Sequence, residues 1–252
     1  MLNINKISRN FSNKAQEYES GATMQKNVAK KLLSYTIEKL NSEPLQILEL
    51  GCGTGFLTEE LIKHFPKAQI IAIDIAPNML EVAKDKFASN KNISFLQSDI
   101  RDIEKIDGKF DLIISGLSFQ WLENELPSII KKIKTKLTSN GNIIFSTLLN
   151  KTFEELQTAF NKSKSEYPGP KLYQRDELLN LLSPKNWIEE FYYESYKTPM
   201  EFLKQIKSTG AVNPNTDFVS TSTMRMVIKR LGEQKNSNNK LKVTYHLLFC
   251  LI

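Results

Sequence analysis

Histidine and cysteine are scarce in this 252-residue chain, which carries two of each: His64 and His246, Cys52 and Cys250. Two thiols so far apart exclude a disulfide scaffold, and the spacing excludes a zinc cluster built on Cys and His. A Ser-His or Cys-His hydrolase is disfavoured as well, since neither histidine has an evident nucleophile or orienting partner. Long apolar runs are missing too. None approaches the ~18 residues that a membrane span needs. Met1 to Asn10 is polar, without the apolar stretch of a secretion signal. The expectation is a reduced, cytoplasmic protein that does not enter a membrane. No internal repeat and no strong linker interrupts the chain.

What is present is a globular composition. Apolar residues make up 40% and charged residues 25%, enough to bury a sizeable core without a disulfide or structural metal. The net charge of +6 favours an anionic partner, such as nucleic acid, anionic lipid or an acidic protein. Lys-rich surfaces also carry such charge for solubility alone.

Apolar periodicity lays out the elements. Met24, Val28, Leu32 and Leu33 predict a helix from about Gly21 to Leu40. Gln46 to Leu50 is a short apolar run that feeds Gly51-Cys52-Gly53-Thr54-Gly55, and Phe56, Leu57, Leu61 and Phe65 follow at helical spacing. Gln69 to Ile73 is a second strand ending at Asp74, with Pro77 in the first turn of the next helix. Ile93 to Gln97 and Phe110 to Ser115 are further strands. Leu126, Ile129, Ile130, Ile133 and Leu137 predict a helix stopped by Gly141, and Asn142 to Thr147 a fifth strand. Short apolar strands alternating with helices imply a parallel sheet covered on both faces.

After Asn150 the rhythm changes. Helices are expected at Phe153 to Phe160, around Leu178, Leu179 and Leu182, and around Met224, Val227, Ile228 and Leu231, with Gly232 after the end of the last. Thr198-Pro199-Met200-Glu201 reads as a capped helix start. Trp187 to Tyr196 and Leu241 to Ile252 read as strands that can close the sheet as an antiparallel edge.

Gly51, Gly53 and Gly55 follow a strand and open a helix, so the backbone can turn sharply and a ligand can approach it closely. Asp74 lies 19 residues past Gly55, at the end of the next strand, where a carboxylate can accept from both hydroxyls of a ribose. The glycine triplet alone is a weak sign; strand, helix and acid together point to a nucleoside site. Asp99, at the end of the third strand, can accept from an adenine amino group or be a solvated loop acid ahead of Arg101 and Asp102. Met79 can pack on the adenine or in the core. Cys52 reads as a small packing residue rather than a nucleophile.

Ile47-Leu48-Glu49-Leu50-Gly51-Cys52-Gly53-Thr54-Gly55, then Asp74, then Ser98-Asp99, resemble the first motifs of class I S-adenosylmethionine-dependent methyltransferases. The resemblance spans roughly Gln46 to Thr147. It implies an α/β fold with a Rossmann-like, seven-stranded, mostly parallel sheet whose last strand is antiparallel. It implies S-adenosylmethionine as cosubstrate and no metal, with the glycine turn under the methionine part and Glu49 beside it. Asp74 would hold the ribose, and Met79, Asp99 and Ile100 would lie at the adenine.

The flanks are similar to one subfamily, the malonyl-acyl-carrier-protein O-methyltransferases of biotin synthesis. The similarity rests on Arg9, Phe11, Ala15, Tyr18 and Gln25, on Ser118-Phe119-Gln120-Trp121 and on Phe145-Ser146-Thr147-Leu148. It continues in the run from Leu203 to Ala211 and in Thr244-Tyr245-His246. It implies methyl transfer to the free carboxylate of a malonyl group on an acidic acyl-carrier protein. On this reading residues 1–252 form one domain: a helical arm over 1–45, a cofactor-binding core over 46–149, acceptor-covering segments over 150–230 and a closing strand over 241–252. Oligomerisation is not expected.

A carboxylate is ionised at neutral pH and needs no general base, which agrees with the scarcity of histidine. It does need positioning. Arg9, Arg175, Lys207 and Arg225 are the candidate partners, each also readable as a solvated surface charge. Tyr18 is placed either to close over the methyl group or to pack the arm down. Gln120 and Trp121 follow the fourth strand, at the edge where an acceptor would lie. Ser115-Gly116-Leu117 stands where a nucleic-acid methyltransferase would carry Asn-Pro-Pro-aromatic, so nucleic acid is not the expected acceptor. The alternatives are a methyltransferase of another small carboxylic acid or quinone precursor, and a non-catalytic S-adenosylmethionine-binding protein.

Overall fold

The computed structural model describes residues 3–209 and 219–252. Gly210 and Ala211, the end of one of the flanking motifs, lie outside the described residues. The chain begins with three helices, α1 (Ile4–Ser12), α2 (Ala15–Gly21) and α3 (Thr23–Lys39). There follow β1 (Gln46–Leu50), α4 (Phe56–His64), β2 (Gln69–Asp74), α5 (Pro77–Lys86) and β3 (Ile93–Gln97). After a 3-10 turn at Ile100–Lys105 come β4 (Phe110–Gly116), α6 (Leu126–Lys134) and β5 (Leu137–Leu148). The rest is α7 (Glu154–Lys162), α8 (Arg175–Leu182), β6 (Asn186–Tyr196), α9 (Pro199–Ser208), α10 (Thr221–Gly232) and β7 (Leu241–Leu251).

The strands form a seven-stranded, Rossmann-like sheet in the order β3-β2-β1-β4-β5-β7-β6. β1 to β5 run parallel, and β7 is antiparallel to both β5 and β6. Helices cover both faces, which is why β1 is an unbroken run of buried residues after Gln46. One face packs with α3, α4, α7 and α10 through Leu32, Leu61, Phe160 and Leu231. The other packs with α6 and α8 through Ile129, Ile133 and Leu178. The strand order reverses between β1 and β4, and open α/β sheets bind ligands beyond the carboxyl ends of strands at such a switch point.

The arm is more structured than the periodicity predicts. α1 and α2 precede the expected helix and dock over the end of β2. Ser8 Oγ donates to Ile75 O at 2.9 Å and Asn78 Nδ2 to Ser12 O at 3.2 Å. Beneath them Ala15, Ala76 and Met79 form a small buried cluster against Phe11, Tyr18 and Val82.

Two other expectations are corrected. α6 ends at Lys134, so Leu137 opens β5 opposite Phe110 rather than extending the helix. Gly141 sits inside β5 at a register irregularity, where a Cβ would lie 2.6 Å from Phe110 O; close backbone approach, not helix termination, requires the glycine. Gly232 is the last residue of α10 and Glu233 its C-cap, so the glycine does not follow the helix. The α9 start is a capping box: Glu201 N donates to Thr198 Oγ1 at 3.2 Å, and Thr198 N to Glu201 Oε2 at 3.3 Å. Among the described residues no helix is long and apolar enough to cross a membrane.

Candidate functional site

The turn after β1 is pinned to β2. The N–H groups of Gly51 and Cys52 donate to Ile73 O at 2.8 and 2.9 Å. The Gly53 N–H donates to Asp74 Oδ2 at 2.8 Å, and the Ala76 N–H to Asp74 Oδ1 at 2.8 Å. Gly51 has φ +73°, and a Cβ there would lie 2.1 Å from Ser118 Oγ. Gly53 has φ +55°, and a Cβ there would meet nothing within 4 Å, because it faces open space. Gly55 caps α4 with φ +90° and backs onto Phe87.

That open space is a cavity of about 140 Å³ at the switch point. Glu49, Gly51 and Gly53 line it from β1 and its turn, Asp74 and Met79 from β2 and α5, Asp99 and Ile100 from the loop after β3. Gly55 does not reach it. Glu49 is 1% exposed and accepts from Thr58 Oγ1 at 2.6 Å; burial pushes its pKa up to about 7. Burial also raises the Asp74 pKa, against the N–H groups of Ala76 and Gly53 that pull it down. Cys52 lines the cavity as a buried thiol whose pKa burial pushes up, which leaves it inert.

Asp99 is no free loop acid. Its Oδ1 accepts from Arg101 N at 2.8 Å and Arg101 Nη1 at 3.3 Å. Arg101, assigned no role in the sequence reading, also donates to Glu125 Oε2 at 2.8 Å and to the Trp121 carbonyl at 3.2 Å, and so ties the third strand's loop to the wall after β4. Its nearness to Asp99 in sequence was the available signal.

A second, larger cavity of about 700 Å³ lies beside the first. It is lined mainly by apolar side chains of α3, α7, α9 and α10, among them Met24, Leu156, Phe160, Leu203 and Met224. The two cavities share five lining residues: Phe11, Tyr18, Gln25, Leu117 and Trp121. Tyr18 stacks on Phe56 at 5.7 Å, and Trp121 meets Phe11 edge-on at 5.7 Å. Burial first, then Asp74, pushes the Tyr18 phenol above its ordinary range, so it stays protonated.

Of the remaining acceptor-side candidates, Gln120 and Lys207 line the larger cavity only. Gln120 accepts from Thr147 Oγ1 at 3.4 Å. The structure does not bring Arg9, Arg175 or Arg225 to either cavity. Arg9 and Arg225 are exposed on α1 and α10, and Arg175 is ion-paired to Asp176 at 2.7 Å and Glu189 at 2.9 Å. Lys204, inside the flanking run from Leu203 to Ala211, and Glu194, which no motif covers, also line the larger cavity.

His246 does have a carboxylate partner, contrary to the sequence reading: Nε2 lies 2.6 Å from Glu189 Oε1. The ring is buried, stacks on Phe191 at 4.4 Å and lines neither cavity, and burial lowers its pKa.

Residues 47–141 match a family model described as a methyltransferase domain. A malonyl-[acyl-carrier protein] O-methyltransferase of Bacillus cytotoxicus is 36% identical over 100% of this chain and 92% of that protein. One of Bacillus cereus is 34% identical over 99% of this chain and 97% of that protein. Among solved structures, the YcgJ protein from Bacillus subtilis superposes with a TM-score of 0.61 at 14% identity, covering 88% of this chain and 97% of that one, which extends the likeness of fold. With relatives matched at this identity from one end to the other, the chain belongs to the malonyl-[acyl-carrier protein] O-methyltransferase family.

Proposed function

We propose that the chain transfers a methyl group from S-adenosylmethionine to the free carboxylate of a malonyl group carried on acyl-carrier protein, giving the methyl ester. The observation that carries this reading is the meeting of the two cavities at Tyr18, Gln25 and Trp121. One cavity has the turn and acids suited to a nucleoside, and the other is apolar and several times larger.

The first cavity fits the donor. The open face of Gly53 lets a ligand lie against the backbone where any Cβ would intrude. Asp74 would hold the ribose hydroxyls; Met79, Asp99 and Ile100 would border the adenine; Glu49 supplies negative charge beside the glycine turn. The donor supplies a methyl group on a sulfonium: an O–CH3 bond forms as the S–CH3 bond breaks, with the electron pair leaving on sulfur. No proton moves, so the chain needs no base. Its residues align the acceptor and keep the junction dry, a role that falls to the rings of Phe11, Tyr18 and Trp121. The larger cavity exceeds what a malonyl group needs, which leaves room for the thioester arm of a carrier. Lys204 and Lys207 are exposed residues lining it, suited to an acidic carrier.

Transfer of labelled methyl groups to malonyl-carrier protein, malonyl-coenzyme A and free malonate tests the reading. The carrier-bound substrate should be strongly preferred. Equal rates on all three would replace it with a small-acid methyltransferase, and donor binding without turnover on any acceptor with a non-catalytic binding protein.

A further inference from the structure

The side chains shared by the two cavities are Phe11, Tyr18, Gln25, Leu117 and Trp121, and none of them is charged. The charged residues lining the smaller cavity are Glu49, Asp74, Asp99 and Arg101, and Arg101 is already engaged by Asp99, Glu125 and the Trp121 carbonyl. Those lining the larger one are Glu194, Lys204 and Lys207. Both lysines are exposed, and Glu194 accepts from Tyr245 Oη at 3.1 Å within the cavity wall. An acceptor carboxylate is therefore repelled from the Glu194 side of the larger cavity. The junction is lined instead by neutral residues that carry donors: the hydroxyl of Tyr18, the amide of Gln25 and the indole N–H of Trp121. Among the described residues none of these three groups makes a hydrogen bond, whereas most polar side chains of the core do.

We propose that Gln25 is a positioning residue that holds the acceptor carboxylate by donating from its side-chain amide to the oxygen that does not react. This rests on the function proposed above and deepens it. A guanidinium in that place would grip both oxygens with charge-assisted bonds and lower the nucleophilicity of the attacking one; it would also face the donor's positive charge. An amide on the 17-residue helix α3 gives direction without neutralising the nucleophile. The expected consequence is a preference for planar, anionic carboxylates over alcohols.

The test compares wild type with Gln25→Leu and Gln25→Glu. Each variant is first titrated calorimetrically with S-adenosylmethionine, where affinity no weaker than wild type shows an intact fold and donor site; Gln25→Glu, which adds a carboxyl beside the cationic donor, can bind it more tightly. With donor saturating, Gln25→Leu should lower kcat/KM for malonyl-carrier protein about 10- to 100-fold, the loss of one hydrogen bond to a charged group. Gln25→Glu should be worse at pH 8, where like charges repel, and should recover as the pH falls and the new carboxyl takes up a proton to donate again. Wild type has no such acid recovery. A Gln25→Leu rate within threefold of wild type, or a Gln25→Glu pH profile parallel to wild type, overturns the assignment of Gln25 alone. A wild-type chain inactive on malonyl-carrier protein overturns the parent reading, and this proposal with it.

Discussion

The Gly53 N–H donates to Asp74 Oδ2 at 2.8 Å, so the glycine turn after β1 and the acid at the end of β2 form one unit. The other Asp74 oxygen takes the Ala76 N–H at 2.8 Å. The carboxylate thus shapes the floor of the smaller cavity besides lining it. Asp74→Ala should weaken S-adenosylmethionine binding at least 100-fold and also lower the melting temperature, since hydrogen bonds to a charged acceptor contribute about 1.5–3 kcal/mol each. Asp74→Asn keeps one acceptor oxygen and should lose less of both. Calorimetric titration and thermal melts of the two variants decide the matter: an Asp74→Ala protein that melts early yet binds donor normally would reduce Asp74 to a purely structural acid.

Gly51 and Gly53 share positive φ but differ in what surrounds them, and their substitutions should separate. At Gly53 a Cβ meets no protein atom within 4 Å, so Gly53→Val should still fold, at a cost of about 1–2 kcal/mol for the left-handed backbone, and lose donor binding. At Gly51 a Cβ would lie 2.1 Å from Ser118 Oγ, so Gly51→Val should damage the fold itself. Circular dichroism with calorimetry on both proteins checks this. Wild-type affinity in folded Gly53→Val would remove the turn from the donor site.

Glu49 sets a pH dependence. Its pKa in the folded chain is about 7, above the ordinary 4.5 and mainly through burial, so folding favours its protonated form. Its contribution to stability is full below the unfolded value. It falls as the pH rises from there, and the full cost of burying the charge is reached above about 7. Glu49→Gln keeps an acceptor for Thr58 Oγ1 and removes the titration, so it should stabilise the protein at pH 8 by up to about 3 kcal/mol and hardly at all at pH 4.5. Donor binding should run the other way. Affinity of wild type for the cationic donor should rise between pH 6 and 8 as Glu49 ionises, and that of Glu49→Gln should stay flat. Melts and titrations across this range suffice; a wild-type affinity independent of pH would show that Glu49 does not face the donor's charge.

The parts of this site that were legible in sequence are those where one physical demand leaves one residue type. Strands buried on both faces must be unbroken apolar runs, so β1, β2 and β4 stood out, and only glycine suits the turn at Gly51 and Gly53. The arm was less legible because α1 and α2 are held down by backbone acceptors, Ile75 O and Ser12 O, which any sequence supplies. Gly141 misled because helix stops and close backbone approaches both select glycine. Charge misled most. Charge alone does not distinguish Arg175, engaged by Asp176 and Glu189, from Lys207 at a cavity wall, and a search for cations passes over neutral Gln25.

Lys204 and Lys207 lie one turn apart on α9, both line the larger cavity, and neither is ion-paired among the described residues. If they meet an acidic carrier, their charge acts mainly before chemistry, in encounter and binding. Lys204→Glu and Lys207→Glu should therefore each raise KM for malonyl-carrier protein about 3- to 10-fold, with kcat little changed, because such a contact is equal in ground and transition states. The effect should fade with added salt, since exposed charges are screened beyond about 8 Å at physiological ionic strength. Arg175→Gln is the control: it removes a cation that lines neither cavity, so KM should not move. A lower kcat in Lys207→Glu with KM unchanged would instead place Lys207 at the reacting carboxylate. No change in either lysine variant, at low salt as at high, would mean that the carrier docks elsewhere or is not recognised by charge.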